Sequence, residues 1–288
     1  MQPEFELKRL TPDDAGRAAE LTQLIGWSQD ISIWKRLIAW GGESAFCLVH
    51  GDQLVATAVS TVYNQRLAWV GVVITHPDYR GQGCAKRLMN VALDDARERG
   101  VECVMLDASQ LGYPVYQKLG FRDLYRVETW GIEDQVDMGA FRQTPLQYNI
   151  RPMLEADLPR VIALDAQHFG FERPQVIRRL WELGSCLVAG IPGHIDGYLM
   201  LQSSAVGWRG GPWYHRSADG AEALLLAALA YIDKPPFRVQ SPANNPDAIA
   251  ILERYGFSLS RYTTRMVYGG DPPGQMEQQY GVATLATG

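Results

Sequence analysis

The chain has 288 residues, a formal net charge of −5, 47% hydrophobic side chains and 20% charged ones. That length exceeds one small core and predicts two domains, at roughly 100–200 residues each. The acidic balance excludes a general attraction for nucleic acid or anionic membrane, so any anion must be held by a local device. The four cysteines, at 47, 84, 103 and 186, form no CxxC pair, which suits reduced thiols better than a disulfide framework. The five histidines show no zinc spacing, and no metal is expected. MQPEFELKRL lacks a signal-peptide layout and no apolar run approaches the ~18 residues of a membrane span, so a cytoplasmic location is expected.

In chain order, Glu6–Leu10 reads as a short strand. Thr11-Pro12-Asp13-Asp14 is a helix start, with a cap, a proline in the first turn and acids. Amphipathic stretches follow over Ala15–Ile25 and Ile33–Trp40. SAFCLVH and QLVATAVSTVYN form a hairpin turning at Gly51-Asp52. LAWVGVVIT, Leu67–Thr75, is a long β-branched strand ending at His76-Pro77. CAKRLMNVALDDARER places Ala85, Leu88, Met89, Ala92 and Ala96 at helical spacing and closes at Gly100. VECVMLDAS is the next strand, GYPVYQKLG a short helix and VETWGI a last strand.

EDQVDMGAFRQTPLQ has no strong period and reads as a linker. The order then restarts: NIRPMLEADLPRVIAL parallels ELKRLTPDDAGRAAEL, and ILERYGF, Ile251–Phe257, parallels VYQKLGF, Val115–Phe121. Such recurrence argues for a duplication. The expected organisation is 1–138 as a catalytic domain, 139–147 as a linker and 148–288 as a second copy.

HPDYRGQGCAKRL, residues 76–88, runs from a strand through a glycine-rich turn into an amphipathic helix. Consecutive backbone N–H groups there can face an anion, and the helix N-terminus adds about half a positive charge. Gly81 and Gly83 permit unusual dihedrals, and Arg80 and Lys86 could add charge. The alternative is a strand–helix turn whose glycines serve geometry alone. Neither the Walker loop nor the dinucleotide GxGxxG is matched, since no GK[ST] follows and Lys86 holds the third glycine position.

Arg80-Gly81-Gln82-Gly83-Cys84-Ala85 resembles the Q/R-x-x-G-x-G/A signature of the GNAT superfamily of N-acetyltransferases, and VYQKLGF resembles its later tyrosine-bearing motif. The resemblance implies an α/β (α+β) fold of two tandem GNAT-like domains, each a mixed, mostly antiparallel sheet flanked by helices. It also implies acetyl-CoA as acyl donor. Main chain at Val73, Ile74 and Thr75 would meet the acetyl carbonyl and the pantetheine arm. The turn Arg80, Gly81, Gln82, Gly83, Cys84, Ala85 and Lys86 would hold the pyrophosphate. Ser109 stands where the family often has an asparagine on the cofactor arm. Tyr116, by family position, would protonate the departing thiolate, a role typically worth about 10²–10⁴ in rate; its other reading is a core tyrosine beside Phe121.

No carboxylate stands on Leu67–Thr75, so the general base is unassigned. Asp107 is a candidate base or ammonium partner, or else a turn cap. Trp69, with Trp27, Trp34 and Trp40, lines a substrate pocket or belongs to the core. Cys84 has no histidine placed beside it, and direct transfer needs no covalent enzyme intermediate.

In the second copy the glycine turn is replaced by Ser217-Ala218-Asp219-Gly220, and the tyrosine position is Leu252. These losses favour a structural or substrate-binding second half, similar to tandem acetyltransferases with a degenerate C-terminal GNAT-like domain. After Phe121 there is one strand-like stretch where such domains usually have two, and Tyr280–Ala286 could pair with either sheet. The expected protein is an acetyl-CoA-dependent N-acetyltransferase, monomer or homodimer, acting on a small-molecule or amino-acid-like amine without nucleic-acid or membrane partners. The rivals are a non-catalytic acyl-CoA sensor and a protein N-acetyltransferase.

Overall fold

A computed structural model describes residues 4–27, 29–134, 148–204, 207–233, 235–272 and 274–288. The first elements are β1 (Glu6–Arg9), α1 (Ala15–Leu24), α2 (Ile31–Gly41), β2 (Ala45–His50), β3 (Gln53–Tyr63), β4 (Leu67–Thr75), α3 (Cys84–Glu98), β5 (Cys103–Ala108) and α4 (Tyr113–Lys118). They are followed by β6 (Arg122–Ile132), β7 (Ile150–Pro152), α5 (Leu158–Phe169), α6 (Pro174–Leu183), β8 (Ser185–Ile191) and β9 (His194–Ser204). The last are β10 (Gly207–His215), α7 (Ala218–Tyr231), β11 (Phe237–Pro242), α8 (Pro246–Arg254) and β12 (Ser258–Gly269).

Two compact units result. The first comprises Met1–Asp123, Met266–Pro272 and Leu285–Thr287; the second comprises Leu124–Arg265, Pro273–Thr284 and Gly288. These bounds differ from the expected 1–138 and 148–288, and the reason is strand pairing. β6 follows the first-half elements in sequence, yet its Val127–Ile132 pair antiparallel with β11 in the second unit. The end of β12 lies beside β5 in the first unit, where Gly270 N–H donates to the Glu102 carbonyl at 2.9 Å. Each half therefore has one strand after its α4-like helix, and the missing strand comes from the other half's sequence. The expected linker 139–147 lies outside the described residues.

In the first unit the strand order is β1-β2-β3-β4-β5-β12, with β1 to β4 antiparallel to their neighbours and β4 parallel to β5. Alternation sorts the side chains onto two faces. Ala45, Cys47 and Val49 join a core with Trp34, Leu37 and Ile38 of α2. Phe46 and Leu48 join Cys84 and Leu88 of α3 on the other face. Ala68 and Val70 of β4 pack with Val104, Leu106, Ala108, Met89 and Tyr116 on that same face.

The second unit repeats this plan with the order β12-β6-β11-β10-β9-β8-β7. Leu199, Trp213, Phe237 and Val239 face α7 and α8, in one core with Leu224 and Leu252. Tyr198, on the opposite face of β9, donates to Asp165 of α5 at 2.7 Å.

The helix starts are duplicated as well. Asp14 accepts the Thr11 N–H at 2.7 Å, and Asp157 accepts the Leu154 N–H at 2.8 Å. Asp157 also takes both Arg151 guanidinium nitrogens, at 2.6 and 2.9 Å. That guanidinium holds the Asp157 carboxyl below its ordinary pKa, against the opposing effect of burial and with help from the Leu154 amide. The stabilisation is therefore complete above the ordinary carboxylate pKa and is lost as pH falls through the depressed folded value. Asp157→Asn is expected to destabilise the protein by about 2 kcal/mol at neutral pH. The deficit should shrink as pH drops below about 4, which urea denaturation at two pH values would read.

Candidate active site

The centre of the first unit is a fork between two strands. β4 and β5 pair only at Leu67–Trp69 with Cys103–Met105, and the rest of both strands separates. Just past the pairing, β4 carries a bulge: Thr57 faces Ile74 and Val59 faces Gly71, so Val72 and Val73 oppose Ala58 alone. Val72 has φ +47°, a left-handed conformation rare for a β-branched residue. Its carbonyl is fixed by the Thr57 hydroxyl at 2.8 Å. A bulge leaves one residue out of the ladder, which frees main-chain polar groups inside the fork. Val73, Ile74 and Thr75 line this segment, with Val73 and Thr75 half-buried and Ile74 in the core.

Beyond β4, Pro77–Tyr79 forms a short turn closed by the His76 ring, whose Nδ1 accepts the Asp78 N–H at 3.3 Å. Arg80 to Lys86 follow, with Gly81 at φ +75° and Gly83 at φ +80°. A Cβ at either glycine would meet open space, so dihedral freedom rather than crowding requires them. Gly83 is the N-cap of α3 and provides no side-chain cap. The first intrahelical bond is Arg87 N–H to the Gly83 carbonyl at 2.9 Å, so the amides of Cys84, Ala85 and Lys86 precede the ladder and face outward. Gln82 anchors to the Asp78 carbonyl at 3.4 Å. Arg80 and Lys86 are exposed, and no ion pair holds either among the described residues. The turn is thus a cluster of donors and cations suited to a diphosphate. Cys84 is buried, its Sγ 3.9 Å from the Tyr79 carbonyl, and burial raises its thiol pKa.

Tyr116 lies on the α3 face, 6% exposed, with its ring centroid 5.9 Å from that of Phe121 in an edge-to-face arrangement. It shares a core with Ala68 and Val70 of β4 and with Leu106 and Ala108 of β5, the residues flanking the fork. Burial pushes its phenol well above the ordinary pKa, which keeps it a proton donor. Its hydroxyl lies beside Gly112, close enough that a Cβ there would come within 3.2 Å of it. Ser109 sits at the start of α4 and its Oγ accepts the Gly112 N–H at 3.2 Å. Asp107 is half-buried and, by alternation with Leu106 and Ala108, points to the opposite face of β5. Trp69 is fully buried and its indole N–H is engaged by the Leu285 carbonyl at 3.3 Å. Trp34 is also fully buried, with Trp27 and Trp40 packed around the same core. The tryptophans therefore serve the core.

The second unit has the same parts with their openings closed. β10 pairs with β11 only over Trp208–Gly210, and Gly211-Pro212 bulge opposite Met200 as Val72-Val73 do opposite Ala58. At the position of Val73 stands Pro212, which has no N–H. The fork itself holds main chain. Tyr280 N–H donates to the Trp213 carbonyl at 2.9 Å, Trp213 N–H to the Gly281 carbonyl at 2.9 Å, and Val282 N–H to the Gln240 carbonyl at 2.8 Å. Asn245, the counterpart of Ser109, donates to the Gln278 and Gln279 carbonyls.

The α7 N-terminus is closed too. Ser217 Oγ accepts the Gly220 N–H at 3.3 Å, and the His215 ring accepts the Ser217 N–H at 3.0 Å. A Cβ on Gly220 would fall on that imidazole. Leu252 is fully buried apolar core. Tyr255 gives its proton to Glu222 at 2.6 Å, and burial with that carboxylate raises its pKa to about 12.

Sequence reasoning missed the bulge, Pro212, His215 and the filled fork. Aligning VGVVITH with RGGPWYH would have exposed the loss of one amide, since Gly71 and His76 fall on Gly210 and His215. Nothing local in QQYGV signals a segment that enters a fork.

Comparison with known proteins agrees with this geometry. Residues 17–121 match the acetyltransferase (GNAT) family, and residues 161–281 match an acetyltransferase (GNAT) domain. The chain is 23% identical to the uncharacterized N-acetyltransferase YitH of Bacillus subtilis, over 98% of each chain. It is 24% identical to holothin acyltransferase of a Pseudoalteromonas species, over 82% of this chain and 79% of that one. Among solved structures, a Pyrococcus horikoshii protein regarded as an acetyltransferase superposes with a TM-score of 0.83 at 21% identity, covering 100% and 97% of the two chains. A tandem GNAT protein from the clavulanic acid biosynthesis pathway gives 0.67 at 16% identity, covering 93% and 99%. The chain belongs to the GNAT acetyltransferases, a family whose acyl donor is acetyl-CoA, and carries two GNAT domains in tandem.

Proposed function

We propose that the first unit is the active one and transfers an acetyl group directly from acetyl-CoA to the amine of a small-molecule or amino-acid-like acceptor. The second unit completes the fold without binding a donor. The observation that carries this reading is the contrast at the two bulges. The first has amide-bearing Val72-Val73; the second has Gly211-Pro212 and a fork filled by Tyr280–Val282. The names of the two relatives, an N-acetyltransferase and an acyltransferase, support group transfer.

Acetyl-CoA supplies an activated acyl group as a thioester. The amides of Gly81 to Lys86, with Arg80 and Lys86, hold its diphosphate, and Ser109 hydrogen-bonds the arm. The freed amide of the bulge stabilises negative charge developing on the acyl oxygen, an effect commonly worth about 10²–10³ in rate. The acceptor nitrogen forms the new C–N bond as the C–S bond breaks. Tyr116 Oη gives its proton to the departing sulfur and regains one from solvent. Asp107, on the opposite face from Tyr116, pairs with the incoming ammonium, which gives one proton to water before its neutral nitrogen attacks and a second to water as the amide forms. The acidic surface and buried thiols suit a cytoplasmic monomer or homodimer.

Tyr116→Phe is expected to lower kcat by about 10²–10⁴ while calorimetric affinity for acetyl-CoA stays within about twofold. Undiminished thiol release would remove Tyr116 from the chemistry. Gly83→Ala should raise the acetyl-CoA KM by forcing a side chain into φ +80°. Ser217→Ala, at the matching helix start, should leave that KM alone and cost about 1 kcal/mol of stability as a lost cap. Donor binding lost in Ser217→Ala but kept in Gly83→Ala would reverse the assignment of units.

A further inference from the structure

The donor machinery of the first unit lies on the α3 face of the fork: the glycine turn opens onto α3, and Tyr116 shares the α3 core. An acceptor must reach the acyl carbon from the other face, which carries α1, α2 and Asp107. On that face the strand surface is covered by Leu285–Thr287, a segment of the first unit although it follows β12 in sequence. Side chains of the strands hold its backbone. The Trp69 indole donates to the Leu285 carbonyl at 3.3 Å, and Tyr63 Oη donates to the Thr287 carbonyl at 2.8 Å. Between them, Ala286 lies so close to Gly71 that a Cβ there would fall on the Ala286 carbonyl oxygen and 2.7 Å from its Cα.

Gly71 is the residue immediately before the bulge. Trp69 pairs with Met105, so two residues on Gly71 and Asp107 stand at one level and on one face as the strands part. Leu285 and Ala286 are half-buried, with Ala286 packed beside the core of α1 and α2. A main-chain carbonyl and a carboxylate thus share the acceptor face of the fork, and both are acceptors of N–H groups.

We propose that Leu285–Thr287 is the wall of the acceptor subsite, and that its backbone position selects primary ammonium compounds by size. The inference rests on the acetyltransferase reading above. The absence of a side chain at Gly71 then has a functional reason: it lets a carbonyl-bearing wall approach the bulge. Tyr63 and Trp69 are positioning residues, which hold the wall without touching the acceptor.

The test uses the full-length protein and its Gly71→Ala and Tyr63→Phe variants. Thiol release from acetyl-CoA is measured with ethanolamine, glucosamine, tyramine, tryptamine and spermidine. Gly71→Ala should displace the wall; Tyr63→Phe removes only its hydroxyl anchor and preserves the ring. In both, the ranking of amines by kcat/KM should change, with the acceptor KM of the best wild-type amine rising about tenfold and the acetyl-CoA KM moving less than twofold. Should Gly71→Ala fail to fold, Tyr63→Phe decides alone. Wild-type turnover with the same amine ranking in the variants would overturn this inference and leave the acetyltransferase reading intact. Acetyl-CoA binding without turnover of any amine by the wild type would overturn both.

Discussion

Main-chain groups inside a parted sheet must find partners, and that requirement organises this protein. A parallel pair that separates after three residues exposes amides and carbonyls to a cleft lined by apolar side chains. Water is a poor partner there, and orphaned groups cost on the order of 1–3 kcal/mol each. The chain meets the same requirement in two ways. In the first unit β4 bulges at Val72-Val73 where the strands part, and the Thr57 hydroxyl takes the Val72 carbonyl. In the second, Tyr280–Val282 enters the fork and hydrogen-bonds both strands. The duplicated frame thus offers, within one molecule, two forks whose main-chain groups are satisfied differently.

Several losses in the second copy fit together once that occupation is seen. Pro212 offers no amide to a ligand, but none is needed where Gly281 already bridges Trp213. His215 and Ser217 take up helix-terminal amides that would otherwise remain unsatisfied. Asn245 keeps its amide side chain and uses it on the Gln278 and Gln279 carbonyls. Leu252 fills apolar space where a phenol would need an acceptor. Each of these positions is satisfied from within the chain.

Much of the fold was legible because local signals dominate there. Leu67–Thr75 is β-branched and apolar throughout, and it is β4 residue for residue. The amphipathic Cys84–Arg99 period matches α3 to within one residue. The glycine turn before α3 and the short helix that carries Tyr116 were legible from motif spacing, as were the replacements Ser217–Gly220 and Leu252. Strand partners were not. VETWGI reads as a strand wherever it goes, and nothing in its residues distinguishes β5 from β11 as a destination. Trp69 stayed open for a related reason: an indole suits a pocket or a core equally well, and the carbonyl that takes its N–H lies 216 residues away in sequence.

The exchange of β6 and β12 has a bearing on the history and assembly of the chain. Neither half of the duplication encodes a complete sheet, since the strand beside β5 is written after residue 257 and the strand beside β11 is written before residue 133. A ribosome that has released only the first half has therefore exposed a sheet with an unsatisfied edge, a hazard for pairing with other chains. Closing that edge awaits nearly the whole sequence, a contact of high separation and correspondingly slow to form. Once strands were traded in this way, deleting the second copy became impossible without breaking the first. The second half of the sequence stays indispensable to the first through the strand it supplies, whatever its own fork does.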